Sequence, residues 1–324
     1  MLYPLTFRPI FKERVWGGRN LERLYAKPLP PAVPIGESWE LSDRPGDVSV
    51  ITNGPLAGKD LRWLMEQHSE ELLGKARALK GRFPLLIKLL DARETLSVQV
   101  HPPERQAERL GGEPKTELWH ITNAVPGAKL FVGLRNGVTR AEFERRLRDG
   151  SVAECLHRIP VGKGDSMFLP SGRVHAIGAD LVLFEIQQNS DTTYRVFDWN
   201  RKGLDGKPRE LHVAESLASI DWEDFEPGLI ESRFTGKGFL KRRLLVSDPL
   251  FVVSSLQFTG RARALLRRLS LQIIGCVRGR VEVEACGQGV TLSAGQFGLV
   301  PACAPQAEVR AAAATECLWI IAGH

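Results

Sequence analysis

The sequence predicts a mainly β protein of two strand-rich units with a small helical insertion. Three observations predict it. Short apolar or alternating runs recur from residue 84 to 198 and again from 239 to 322, separated by Gly, Pro and Asn turns, the pattern of a sandwich or barrel. Helical periodicity is confined mainly to two stretches, 58–80 and 139–159. Between the strand-rich regions, Pro227-Gly228 and Gly236-Lys237-Gly238 mark a linker over 223–238. The expected organisation is a unit over 1–222, that linker, and a second unit over 239–324.

Each element has a local reason. Residues 1–57 are rich in Pro and Gly, with Ser38 to Ser42 alternating like a strand and Val48 to Thr52 forming another before the Asn53-Gly54-Pro55 turn. Asp60 can cap a helix from Leu61 to Ala78, whose leucines share one face. Two apolar runs then flank Asp91-Ala92-Arg93-Glu94, and the second ends at Pro102-Pro103, which offer no N–H to a ladder. Glu104 to Leu110 is a short helical turn ended by Gly111-Gly112. Lys115 to Thr122 and Ala128 to Leu134 read as strands. Thr139 caps a helical stretch to Ile159 that is interrupted at Gly150. Strands follow at 166–169, 180–188 and 193–198, then a short helix from Leu211 to Ile220. The second unit carries strands at 239–246, 251–258, 269–277, 280–285, 297–300 and 317–322.

Composition excludes several classes. Hydrophobic content of 43% and charged content of 25% are ordinary for a globular chain of 324 residues, which is long enough for two domains. No apolar stretch approaches the ~20 residues of a membrane helix, and the first residues lack a signal-peptide layout, so a cytoplasmic protein is expected. Cys155, Cys276, Cys286, Cys303 and Cys317 are odd in number and scattered, which suits neither a disulfide framework nor a thiolate zinc site. The net charge of +6 is spread among acids, and the nearest basic cluster, Arg261 to Arg268 with Lys241-Arg242-Arg243, has no interleaved aromatics. Nucleic acid is not the expected partner; an anionic small molecule is.

Four stretches carry chemistry. In the run ending at Pro102, Gln99 and His101 stand two residues apart and project to one face, opposite Val98 and Val100. An imidazole beside an amide oxygen suits half of a metal site, though a solvated strand tip presents the same pair. Lys115, Glu117 and Trp119 likewise share a face, and Glu117 can supply a third ligand. Gly164 to His175 has the form G-x5-P-x-G-x2-H: a turn, a strand, then rigid Pro170 and permissive Gly172 delivering His175 to the start of the next strand. This frame resembles the second motif of the cupin superfamily, whose histidine is a metal ligand. The last stretch, 185–198, holds Glu185 after an apolar run and Arg195 after an Asn-Ser-Asp turn. A buried carboxylate invites a raised pKa, and a guanidinium suits phosphate or developing oxyanion charge. The plainer alternative is that the two simply pair with each other.

Together these stretches resemble the type I phosphomannose isomerases, metal-dependent enzymes that interconvert mannose 6-phosphate and fructose 6-phosphate. The resemblance spans Val15-Trp16-Gly17-Gly18, Gly36-Glu37-Ser38-Trp39, Gln-x-His-Pro at 99–102, Lys-x-Glu-x-Trp at 115–119, Gly-x-x-His-Ala at 172–176 and Ser-Asp…Arg at 190–195. It implies two cupin-type jelly-roll barrels and one zinc per chain on Gln99, His101, Glu117 and His175. It also implies a substrate pocket lined by Lys115, Glu185 and Arg195. The short interval between Glu117 and His175 is similar to that of the short bacterial form. In the second unit Gly295-x5-Pro301 repeats the barrel spacing, but Cys303 replaces the glycine and Gln306 the histidine, so a metal-free copy is expected.

The implied reaction passes through a cis-enediol, with Glu185 as general base and a solvent molecule on the metal as its rival; Lys115 and Arg195 would hold charged oxygens. Readings from other classes stay open on sequence grounds. The four ligands also suit an iron-dependent cupin oxygenase, and the same barrel can serve as a non-catalytic sugar-phosphate binder. Monomer and homodimer are both compatible with the sequence.

Overall fold

A computed structural model describes residues 2–267, 269–304 and 306–323. Among these residues the first unit is built on two antiparallel sheets. One holds six strands in the order Ser166–Leu169, Glu117–Ala124, Leu181–Gln188, Leu85–Ala92, Ile35–Leu41 and Ile10–Gly18. The other holds five: Leu156–Pro160, Lys129–Leu134, His175–Ile177, Val98–Val100 and Tyr194–Phe197. The two apolar runs around Asp91 therefore enter different sheets, because the chain crosses over between them rather than turning back as a hairpin.

Period-two alternation decides what each face buries. On Leu181–Gln188, Leu183 joins Trp119, Ile121 and Val132 between the two sheets. Its neighbours Val182, Phe184 and Ile186 point the other way, onto Phe251, Ile273, Leu318 and Ile320 of the second unit. The outer face of the five-stranded sheet packs Val98, Val100 and Val196 under Phe143, which lies on the helix Arg140–Asp149.

The second unit pairs a seven-stranded sheet with a four-stranded one around Phe258, Ile274, Val283 and Val309. The seven-stranded sheet takes its first strand, Leu5–Thr6, from the other end of the chain, paired with Phe297–Val300. The intervening segment runs along the first unit, where Leu134 N–H donates to Asp224 O at 2.9 Å and Ile230 N–H to Ser166 O at 2.9 Å. Thr235–Lys237 then pairs with Leu240–Ser247. Of the basic cluster, Arg268 lies outside the described residues, and Ala262–Arg267 forms an edge strand of the four-stranded sheet.

Two helical expectations need correction. Asp60 does cap the first helix, accepting from Trp63 N–H at 2.7 Å, but the helix stops at Gln67 and a second turn covers only Ser69–Leu73. Gly74 at φ 56°, ψ −115° ends it, a conformation no helix continues through. Thr139 caps Arg140–Asp149, closed by left-handed Gly150. Beyond Gly150 the expected helix is instead a 3-10 turn and the strand Leu156–Pro160, held by its ladder to Lys129–Leu134. The apolar spacing of Val152, Cys155, Leu156 and Ile159 fits a helix equally well, so the available sheet edge decides.

Candidate active site

The metal-ligand candidates come from both sheets of the first unit. Gln99 and His175 are direct cross-strand partners in the five-stranded sheet. His101 follows the same strand's end, where Gly172 N–H donates to His101 O at 2.8 Å and so ties the Pro170–Gly172 turn to it. Gly172 sits at φ 98°, which its lack of a Cβ permits. Glu117 opens a strand of the six-stranded sheet on the opposite wall.

The side chains converge. His101 Nε2 lies 3.2 Å from Glu117 Oε1, and the Gln99 amide donates to His175 Nε2 at 3.2 Å. Ligand atoms of His101, Glu117 and His175 all fall within 4.8 Å of one another. His101 Nδ1–H donates to Thr192 O at 2.8 Å and His175 Nδ1–H to Arg173 O at 2.9 Å. A carbonyl only accepts, so each ring carries its proton on Nδ1 and turns the Nε2 lone pair into the site.

Electrostatics match a cation site. Burial pushes the His175 imidazole down to about 3, helped by His101, and burial and Lys115 lower His101 too, so both rings are neutral. Burial alone would raise the Glu117 carboxyl, yet Lys115 and His101 more than reverse this and keep it ionised. Lys115 Nζ stands 2.6 Å from Glu117 Oε1, but neither carboxylate oxygen accepts an aligned hydrogen bond. A buried carboxylate with unused lone pairs, two imidazole nitrogens and an amide form a donor set that fits zinc.

Beside these ligands opens a cavity of about 550 Å³ lined by Gln99, Lys115, Glu185 and Arg195, together with Lys88 and Trp16. All three expected pocket residues are thus brought to one space. Glu185 and Arg195 do not pair with each other, because they stand on opposite sheets. Glu185 instead faces Lys88, its cross-strand partner, with Nζ 3.1 Å from Oε1, and accepts from Trp119 Nε1–H at 3.0 Å through Oε2. Arg195 donates through Nη1 to Glu210 O at 2.7 Å, while its Nε has no partner.

The family model of the catalytic domain of type I phosphomannose isomerase matches residues 5–118. The mannose-6-phosphate isomerase ManA of Bacillus subtilis is 42% identical over 221 residues, 67% of this chain and 68% of that protein. The chain belongs to the mannose-6-phosphate isomerase family. A crystal structure of the mannose 6-phosphate isomerase from Bacillus subtilis superposes with a TM-score of 0.88 at 30% identity, covering 99% of each chain. A mannose 6-phosphate isomerase solved with zinc bound shares the fold, with a TM-score of 0.76 at 18% identity, covering 99% of this chain and 100% of that one.

Within this isomerase fold several pocket groups escaped the sequence reading as site residues. Lys88 is buried in the middle of Leu85–Ala92, an otherwise apolar strand but for Asp91. That position was itself a signal, because a lysine is almost never fully buried without a partner. Glu37 and Arg14 reach the pocket from the outer strands, joined by a 2.7 Å bond, and Arg209 arrives on the loop after Tyr194–Phe197, anchored by Asp198. Glu37 stands in the Gly36-Glu37-Ser38-Trp39 motif, which carried the resemblance without a role for it, while Arg14 and Arg209 are ordinary charged residues until the sheets bring them inward.

Proposed function

We propose that the protein catalyses the interconversion of mannose 6-phosphate and fructose 6-phosphate as a metal-dependent aldose–ketose isomerase. The observation that carries this reading is the convergence of three metal donors, His101, Glu117 and His175, from two facing sheets, with Gln99 alongside His175, beside a cavity walled by Lys115, Glu185 and Arg195. In this reading Gln99, His101, Glu117 and His175 hold one zinc, with the Gln99 amide rotated to present its oxygen. The bound zinc supplies Lewis-acid polarisation of a substrate oxygen.

The chain's own residues do the rest. Moving a carbonyl between C1 and C2 requires a group that takes a proton from one carbon and returns it to the next. Glu185 is suited to both directions: burial raises its carboxyl above the ordinary range, with Lys88 opposing, so it holds a proton more readily than an exposed carboxylate does. Lys115 remains an ammonium, since Glu117 and Glu185 more than offset the effect of its burial. It faces developing negative charge on the enediol oxygens. Arg195, permanently charged and with Nε unused, holds an anionic oxygen of the substrate.

We read the two sheet pairs as two cupin-type barrels, the first catalytic over 1–222 and the second, over 239–324, a packing partner carrying no metal. A cytoplasmic enzyme acting on a hexose 6-phosphate accords with this. The pocket's ordered acid, base and cation favour turnover over a sensor role, and family membership favours isomerisation over oxygenase chemistry. A coupled assay for fructose 6-phosphate made from mannose 6-phosphate tests the proposal. Turnover lost to chelator and restored by zinc supports it; a zinc-loaded protein with no turnover defeats it.

A further inference from the structure

Glu185 stands in a row of charged groups strung across four strands. Its register partners are Lys88 on one side and Trp119 on the other. Lys88, 4% exposed, sits between two carboxylates: Glu185 Oε1 at 3.1 Å and Glu37 Oε2 at 3.8 Å. Its ammonium also lies 5.2 Å from the Trp39 ring centre. Glu37 is already satisfied, accepting from Trp39 Nε1–H at 2.6 Å and from Arg14 Nε–H at 2.7 Å. Burial alone would raise the Glu37 carboxyl, but Lys88 and Arg14 bring it down to about 2.

Charge balance then assigns Lys88. Arg14 shares Glu37 with Lys88, and the Lys88 ammonium, 3.1 Å from Glu185 against 3.8 Å from Glu37, is left chiefly to compensate Glu185 when it is ionised. A buried lysine without such a partner would be strongly unfavourable. Its charge is also taken on both sides, so it is poorly placed to grip a substrate phosphate. We propose that Lys88 is a positioning residue of the isomerase reaction: with the Trp119 indole it holds one oxygen of Glu185 each, and so fixes the aim and charge state of the proton-transferring carboxylate. This gives Lys-x-Glu-x-Trp a role beyond its metal ligand, because its tryptophan orients the base from the neighbouring strand.

The inference rests on Glu185 being the group that moves the proton, and the test separates the two. Four groups besides Trp119 act on Glu185: Lys88 and Glu37 from one flank, Glu117 and Lys115 from the other. Removing the Lys88 charge favours the protonated acid, so the acid limb of the kcat profile should move to higher pH. Removing the Glu37 charge should move it to lower pH.

The experiment measures kcat, KM and zinc content against pH for Lys88→Met, Lys88→Arg, Glu37→Gln, Glu185→Gln and the Lys88→Met/Glu185→Gln pair. Expected for Lys88→Met is a kcat about 10–100-fold lower at neutral pH, the limb displaced upward, and KM and zinc content nearly unchanged, against the roughly 10²–10⁴-fold typical of losing a general base outright. Lys88→Arg should restore much of the loss, and Lys88→Met should cost almost nothing further in the Glu185→Gln background. An unmoved limb, a raised KM with kcat preserved, or additive losses in the pair would overturn the proposal. Should Lys88→Met not fold, Lys88→Gln is read in its place, and an acid limb left unmoved there counts against the inference. Full turnover in Glu185→Gln would instead remove the base assignment itself.

Discussion

His175 faces Gln99 directly across two antiparallel strands, and the Gln99 amide donates to its Nε2 at 3.2 Å. A single register thus places two ligand candidates side by side before the other wall contributes Glu117. Slipping that pairing by one residue would turn one of them to the outer face.

His175→Ala and His101→Ala should each lose zinc and turnover together. Metal analysis after gel filtration checks this, with circular dichroism showing the fold retained. Gln99→Leu keeps both histidines and Glu117, and should weaken zinc by roughly 10–100-fold rather than abolish it, judged from the size of changes around metal sites.

Arg195→Ala should keep its zinc and lose most turnover. Arg195 stands opposite Gln99 in the sheet register, but its Nη1 donates to the Glu210 carbonyl rather than to a ligand candidate. Full activity in the variant would remove its role in holding the substrate anion.

Acid should destabilise the protein partly through His120, outside the metal site. It is buried against Ser166 Oγ at 2.9 Å, and burial, then Arg243, push its imidazole from 6.5 down to about 3. The unfolded chain takes up a proton near 6.5 while the folded chain resists, so this contribution is complete above 6.5 and is lost as pH falls toward about 3. The loss is of the order of a few kcal/mol. Urea unfolding of His120→Gln across that window should show a flatter pH dependence than the parent.

Phe184→Ala should cost about 3–5 kcal/mol of stability. The ring is fully buried between the two units, 5.1 Å from Phe297 and 5.9 Å from Tyr25 by ring centres. Equilibrium denaturation measures it; a loss below about 1 kcal/mol would mean the units hold together without this contact.

Much of this site was legible because its residues sit in local frames. Gln99 and His101 are separated by the strand period and stopped by Pro102, and His175 follows a Pro-x-Gly turn that needs the left-handed Gly172. Such devices act within a few residues, so they survive in the sequence as motifs. Less legible were elements whose partners are distant. Leu156–Pro160 carries apolar spacing that fits a helix and becomes a strand because Lys129–Leu134 offers an edge. Ala262–Arg267 and Gln306–Ala311 escaped notice as strands because each pairs with the other across four intervening strands.

Spacing along the chain, with the family resemblance it carries, was therefore enough to name the ligand candidates, Lys115 and Arg195 among the pocket cations, and a mainly β architecture. Which carboxylate meets which cation was decided only by packing. Glu185 pairs with Lys88 rather than Arg195 because sheet register puts residues 97 positions apart opposite each other. Hydrogen-bonded ladders between remote strands leave no local trace, and burial then makes each pairing obligatory, since a charge sealed between two sheets must find its counter-charge there.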